Sequence, residues 1–286
     1  VPELSIEGVS EAILRAVRDD RFSLIVANFA NVDIIGHIED AEAVKRAVEA
    51  VDRHIGVVVE AAREAGVTVV VTADHGTVER WLYPDGTIDT GHTDSPVPLI
   101  LVDPDLGDTE EATLMEGGEL GDIAPTILEL LGLPRPKPMT GRSLLQNYPP
   151  ARLGKRRILL LIADGWGIRD EVQGNLIAQS HTPVMDALQR RYPSTRLEAS
   201  GEAVGMPPGT VGNSEVGHLH IGAGRRVPSD RARIDGAIRD GSFFENEALL
   251  WAVRGCKRDN ARLHLLGIVS FYSSHGTVDH LINLMR

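Results

Sequence analysis

Seven side chains in this sequence are of types that do metal or phosphoryl chemistry. They are Asp33 and His37 in "NVDIIGH", Asp74 and His75 in "TADHG", His92 in "TGHTDSPVP", Asp164 in "ADGWG" and Ser214 in "GNSEVGH". Asp33 and His37 stand four apart, so one helical turn or a tight loop puts both on one side. Three aspartates, three histidines and a serine suffice for two divalent ions with mixed oxygen and nitrogen ligands. That mixture suits Mn²⁺ or Zn²⁺ better than Ca²⁺, which prefers oxygen throughout. Nothing close to Ser214 in sequence supplies an obvious base. A bound ion would remove the need for one, because it lowers the pKa of a hydroxyl while a second ion holds a phosphoryl oxygen.

Each residue taken alone also has a structural reading. An aspartate at a strand end caps turns, a neutral histidine is often bonded within a turn, and Ser214 before "EVGHL" has the form of a helix N-cap. The joint reading gains from position, since "ADHG" and "ADGWG" each follow an apolar run. In doubly wound sheets ligands sit beyond the carboxyl ends of strands, where such acids converge. Two look-alikes are set aside. "DGWGIRD" has Asp170 where a dinucleotide fold needs its third glycine, and "GNSEV" has Val216 where a nucleophile elbow needs glycine.

The elements that must carry these residues are legible as apolar patterns. Strands are expected at 22–29, 67–73, 97–102, 157–164 and 262–269. Between the first two, Val44, Val48, Val51, Ile55, Val58 and Ala62 recur at helical spacing and Gly66 supplies a stop, so strand, helix and strand suggest a parallel βαβ unit. Further helices are expected over "DIAPTILELLG", "TPVMDALQRRY" and near 245–256, and a Pro-, Gly- and Arg-rich crossing over 133–156.

With 286 residues, 42% hydrophobic and 24% charged, the chain has the composition of a globular protein. Its net charge of −12 argues against nucleic acid or an anionic membrane as partner. An anionic substrate then needs a local cationic device, which metals provide. The single Cys256, and the lack of a membrane-length apolar run or signal-like N-terminus, lead us to expect a cytoplasmic protein. The chain begins at Val1 and is expected to be a fragment or rearrangement.

Longer motifs resemble a known family. "LLLIADGWGIRDEVQGNLIAQSHTPVMDAL", "GNSEVGHLHIGAGR" and "RIDGAIRDGSFFENEAL" are similar to the N-terminal part of the cofactor-independent, metal-dependent phosphoglycerate mutases. "NVDIIGH", "AVEAVDRHIG", "TADHGTVE", "GHTDSPVPLI" and "DIAPTILELLGLPRPKPMTGRSL" are similar to their C-terminal part. The resemblance implies an alkaline-phosphatase-like α/β fold, a doubly wound sheet with helices on both faces, plus a partial second α/β domain. It implies one ion held by Asp164, Ser214, Asp74 and His75 and another by Asp33, His37 and His92, most simply Mn²⁺. Ser214 would be the residue transiently phosphorylated.

In this chain the two family-type halves are in reversed order, as in a circular permutation or a segment spanning tandem copies. The resemblance therefore divides it into 1–148 and 157–233, both of phosphatase type and joined by a linker at 149–156, and a partial transferase domain at 234–286. His275 in "FYSSHGTVDH" corresponds to the family's substrate-contacting histidine, though its flanking glycines are replaced. By this resemblance, most of the transferase domain and its phosphate-clamping arginines are expected to be absent from these residues. The activity implied is interconversion of 3-phosphoglycerate and 2-phosphoglycerate by a monomer acting on that small molecule. A metal-dependent phosphatase or phosphodiesterase, and an inert segment, are the alternatives.

Overall fold

The computed structural model describes residues 2–106, 112–154, 156–267, 269–271 and 276–286. Along the first half run α1 (Ile6–Arg18), β1 (Leu24–Phe29), α2 (Asn31–Gly36), α3 (Ala41–Glu64), β2 (Val67–Thr72) and β3 (Val97–Val102). Short strands β4 (Thr113–Leu114) and β5 (Gly118–Glu119), helix α4 (Ile123–Leu130) and strand β6 (Leu145–Gln146) lead to the junction. Beyond it come β7 (Arg157–Ala163), α5 (Pro183–Arg191), β8 (Ser194–Glu198), α6 (Ser214–Ala223), α7 (Asp230–Asp240), α8 (Glu247–Arg258) and α9 (Val278–Met285).

Six strands form one mixed sheet in the order β1-β7-β2-β3-β8-β5. β2 and β3 are buried at every position and β7 at all but its first. Successive side chains point to opposite faces, so this continuous burial means that both faces of the sheet are covered, and it accounts for the unbroken Val, Ile and Leu runs. The apolar stripe of α3 is buried along its whole length, and Asp40 caps the helix by accepting from the Ala43 N–H. α1 and α5 pack against α3. Asp52 on α3 is buried and accepts the N–H groups of Val184 and Met185, fixing the first turn of α5.

The βαβ expectation holds in direction but not in adjacency. β1 and β2 are both parallel to β7, which lies between them, so Leu160 stands opposite Val26 on one side and Val70 on the other. β3 is antiparallel to β2. β1 is consequently an edge strand, with Val26 59% exposed, rather than the buried strand its composition suggests.

The expected strand at 262–269 does not form among the described residues of that stretch. Leu266 is 96% exposed there, and an apolar run with no neighbouring strand has nothing to pair with. The expected partial second α/β domain is therefore helical among its described residues, built from α7, α8 and α9, none of which buries a side chain fully. Among the described residues no helix is long and apolar enough to cross a membrane.

The junction between the halves is tied down at both ends. Buried Asp103, just past β3, accepts from Tyr148 Oη and lies 3.8 Å from both Arg152 Nη1 and Arg156 Nη2. The Gly154 N–H donates to Leu130 O, and Arg157 donates to Ala16, Val17 and Phe22 carbonyls. This crossing delivers β7 to the middle of the sheet. Asp103→Ala leaves the buried Tyr148 phenol without its acceptor and the Arg152 guanidinium without its counter-charge, while Arg156 keeps Asp105 and the Gly66 carbonyl, so chemical denaturation is expected to show a loss of about 3 kcal/mol.

Candidate metal centre

Three adjacent parallel strands, β1, β7 and β2, end side by side, and each leads to a carboxylate. Asp164 directly follows β7, Asp74 follows β2 after one residue, and Asp33 lies in α2, just beyond β1. Asp74 and Asp164 are buried at 0% and 4% exposure. His75 is next to Asp74, His37 is the C-cap of α2, and His92 comes from the loop before β3. Ser214 is the first residue of α6. The N-cap is Asn213, whose side chain accepts from the Val216 N–H, so the capping role that sequence allowed Ser214 is already filled. Helix α6 approaches the centre so closely that a Cβ on Gly217 would lie 2.5 Å from the Asp74 carbonyl oxygen.

All seven sequence-predicted residues of the cluster meet here. Asp33 Oδ1 lies 3.3 Å from His37 Nε2 and 3.2 Å from His92 Nε2, and those two nitrogens are 3.2 Å apart. His75 Nε2 is 3.0 Å from Ser214 Oγ, 3.3 Å from Asp164 Oδ1 and 3.6 Å from Asp33 Oδ1. It stands between the two ligand sets rather than wholly within one. Ser214 Oγ is 3.3 Å from Asp164 Oδ1. His275 lies outside the described residues.

One residue escaped the sequence reading. His218 Nδ1 lies 3.1 Å from Asp74 Oδ2 and 2.8 Å from Ser214 O. The signal was available, because four residues on a helix bring it to the face of Ser214. Its ligand atom joins those of Asp74 and Asp164 in one group of three, and Asp33, His75 and His92 form another.

The donor set fits cations on two grounds. Asp74 Oδ2 is fully buried at the centre of the cluster, with the His218 imidazole facing it 3.1 Å away. Three carboxylates within a few ångströms of each other also repel unless positive charge is supplied. In this structure imidazoles supply it. Burial opposes the charge on His75, but hydrogen bonding to Asp164 and the fields of Asp74, Asp33 and Asp164 prevail and raise its pKa to about 9. The hydrogen bond to Asp74 raises His218 to about 9 against the cost of its burial. Burial pushes Asp164 upward, yet its bonds to His75 and Asn28 bring it down to about 2. Asp33 is likewise lowered, His92 and His75 outweighing its burial.

Fold and site together define an α/β protein with a metal-binding centre at the strand ends. A family model described as the metalloenzyme superfamily matches residues 1–135 and 156–273, so the chain belongs to that superfamily. Proteins named 2,3-bisphosphoglycerate-independent phosphoglycerate mutase are similar to it in part. The one from Moorella thermoacetica is 52% identical over 130 residues, 46% of this chain and 25% of its own length. The one from Cyanothece sp. is 50% identical over 128 residues, 45% of this chain and 24% of its own. The matched stretches thus span about a quarter of the length of these relatives. A crystal structure of Leishmania mexicana phosphoglycerate mutase at low cobalt concentration aligns with a TM-score of 0.43 and 26% identity, covering 51% of this chain and 29% of that one.

Metal ligation requires neutral imidazoles, so a cation must displace the protons on His75 and His218. Mn²⁺ affinity, read by titration calorimetry, is expected to rise with pH and level off above about pH 9. Without metal the sign is opposite. The stabilisation from these raised pKa values is complete below about pH 6.5 and is lost as the pH climbs through about 9, which thermal unfolding of chelator-treated protein will show.

Proposed function

We propose that this chain encodes a phosphoglycerate mutase centre that interconverts 3-phosphoglycerate and 2-phosphoglycerate through a phosphoserine at Ser214. The observation that carries the reading is the placement of Ser214 Oγ at the N-terminus of α6, in contact with both His75 and Asp164. The names of the partial relatives supply the substrate class. Residues 1–148 and 157–233 jointly supply the site, and 234–286 begin a second, transferase-type domain. The single cysteine fits a cytoplasmic setting.

In this reading Asp164, Asp74, His75 and Ser214 would hold one divalent ion, and Asp33, His37 and His92 the other, with Mn²⁺ favoured by the mixed oxygen and nitrogen donors. Such ions supply the positive charge that acidifies a serine hydroxyl and draws a phosphoryl oxygen. The chain's own residues do the rest. The first turn of α6 presents its positive end to the Ser214 oxygen. Ser214 Oγ forms a bond to phosphorus as the bond to the glycerate oxygen breaks, and that oxygen leaves as a hydroxyl. The second glycerate hydroxyl then takes the phosphoryl group back and releases Ser214.

A phosphatase is the second reading, and one observation favours it. His37 and His92 retain side-chain exposures of 45% and 18%, and α7 to α9 bury no side chain fully, so water has access to the acceptor position. A coupled assay for 2-phosphoglycerate, run with and without Mn²⁺ and with free phosphate read in parallel, separates the two. Mutase turnover is the expected result, and release of phosphate alone assigns the chain to the second reading. Ser214→Ala is expected to abolish covalent phosphoprotein in either case, and labelled protein that survives the substitution removes Ser214 as nucleophile.

A further inference from the structure

Glu79 takes no part in the proposed chemistry, yet it is buried at 0% exposure behind the centre. It forms no salt bridge among the described residues. A carboxyl group in such a place is costly unless donors are arranged for it. Here they come from two loops. Glu79 Oε2 accepts the Thr77 N–H at 2.9 Å, and Oε1 accepts the Thr93 hydroxyl in a short bond. A third loop leaves room for it. A Cβ on Gly167, three residues after Asp164, would fall 2.3 Å from Glu79 Cδ, and one on Gly76 would fall 2.6 Å from Oε1. The carboxyl group therefore sits where the "DHGTVE", "GHTDS" and "DGWG" loops meet, and these loops carry Asp74 and His75, His92, and Asp164.

From Glu79 the contacts run on to the candidate ligands. Thr77, whose N–H it holds, aims its hydroxyl at Asp33 Oδ1, 3.4 Å away, and at His75 Nδ1, 3.2 Å away. Thr93 adjoins His92, and its N–H donates to the Gly76 carbonyl, which also faces His75 Nδ1. The His75 imidazole is therefore oriented by groups that Glu79 fixes, while the His92 backbone is held through Thr93 and its ring Nδ1 faces the Gly212 carbonyl at 3.0 Å; the two rings stack with centroids 4.1 Å apart. A hydrocarbon side chain could fill the same space, but it could not draw the Thr77 amide and the Thr93 hydroxyl toward a common point.

We infer that Glu79, acting through Thr77 and Thr93, is the positioning residue that sets the His75 imidazole, and the loop carrying His92, for cation binding. This rests on the metal-centre reading and adds to it a device outside the ligand set. Partners behind metal ligands typically contribute 10- to 100-fold in affinity, so the effect is large enough to measure without an activity assay.

The test is Mn²⁺ titration of the full chain after chelator treatment, with free Mn²⁺ read by electron paramagnetic resonance. Circular dichroism of the metal-free protein reports folding. Glu79→Gln and Thr93→Val are each expected to weaken binding by about tenfold or more, while Thr93→Ser, which keeps the hydroxyl, binds as wild type. Because the two residues act through one bond, the double variant is expected to be little weaker than either single one. Folded Glu79→Gln and Thr93→Val proteins that bind Mn²⁺ as wild type does overturn the inference and leave the metal centre standing. A Thr93→Ser protein as weak as Thr93→Val also overturns it. Wild-type protein that takes up no Mn²⁺ overturns the metal centre, and this inference with it.

Discussion

Three carboxylates, Asp33, Asp74 and Asp164, are held together against their mutual repulsion, and much of the structure answers to that constraint. Two of them are buried, where like charges are poorly screened. They are tolerable only because imidazoles, backbone N–H groups and an asparagine surround them, and because a cation can replace the imidazolium charge. His75 shows the balance most clearly. Its burial disfavours charge, yet the surrounding acids raise its pKa to about 9. A centre that holds protons so firmly in the absence of metal has the electrostatic demand of a cation site.

The sheet meets that demand by geometry. Three parallel strands set side by side end at one level, so residues far apart in sequence become neighbours without long side chains reaching across. β7 is the strand that makes this possible, because it pairs with β1 and β2 at once. The two halves of the chain therefore share one core and one site. The segment joining them is anchored at Asp103 on one side and at the α1 carbonyls on the other. The centre depends on which strands are neighbours in space and not on where the chain is cut.

Much of this was legible in the sequence. Runs such as "VTVVVT" and "RILLLIA" announce strands buried on both faces, and the α3 stripe announces a helix on the sheet. The seven chemical residues could be named because each follows or faces such an element. Other features were not legible, for physical reasons. That β7 lies between β1 and β2 is a tertiary fact that no local pattern encodes, and the same fact makes β1 an edge. "RLHLLGIV" carries a strand pattern, but pattern alone cannot provide the neighbouring strand it requires. His218 was passed over because its role depends on which face of α6 meets Asp74. Glu79 was passed over because an acid in "GTVE" is usually solvated, and only packing reveals its burial.

The insertion of β7 also governs the order in which the molecule can be assembled. Residue 24 pairs with residue 158, so β1 has no partner until the second half of the chain has emerged. Contacts so distant in sequence impose a large loop-closure cost and slow folding. During synthesis the first half emerges with Asp33 and Asp74 just beyond strands that cannot yet pair through their common neighbour. The exposed edges of β1 and β2 are then open to wrong partners, including one another. Arrival of β7 joins β1 to β2 and brings Asp164 between the other two acids in the same event, so pairing of the parallel strands and convergence of the three carboxylates are a single step.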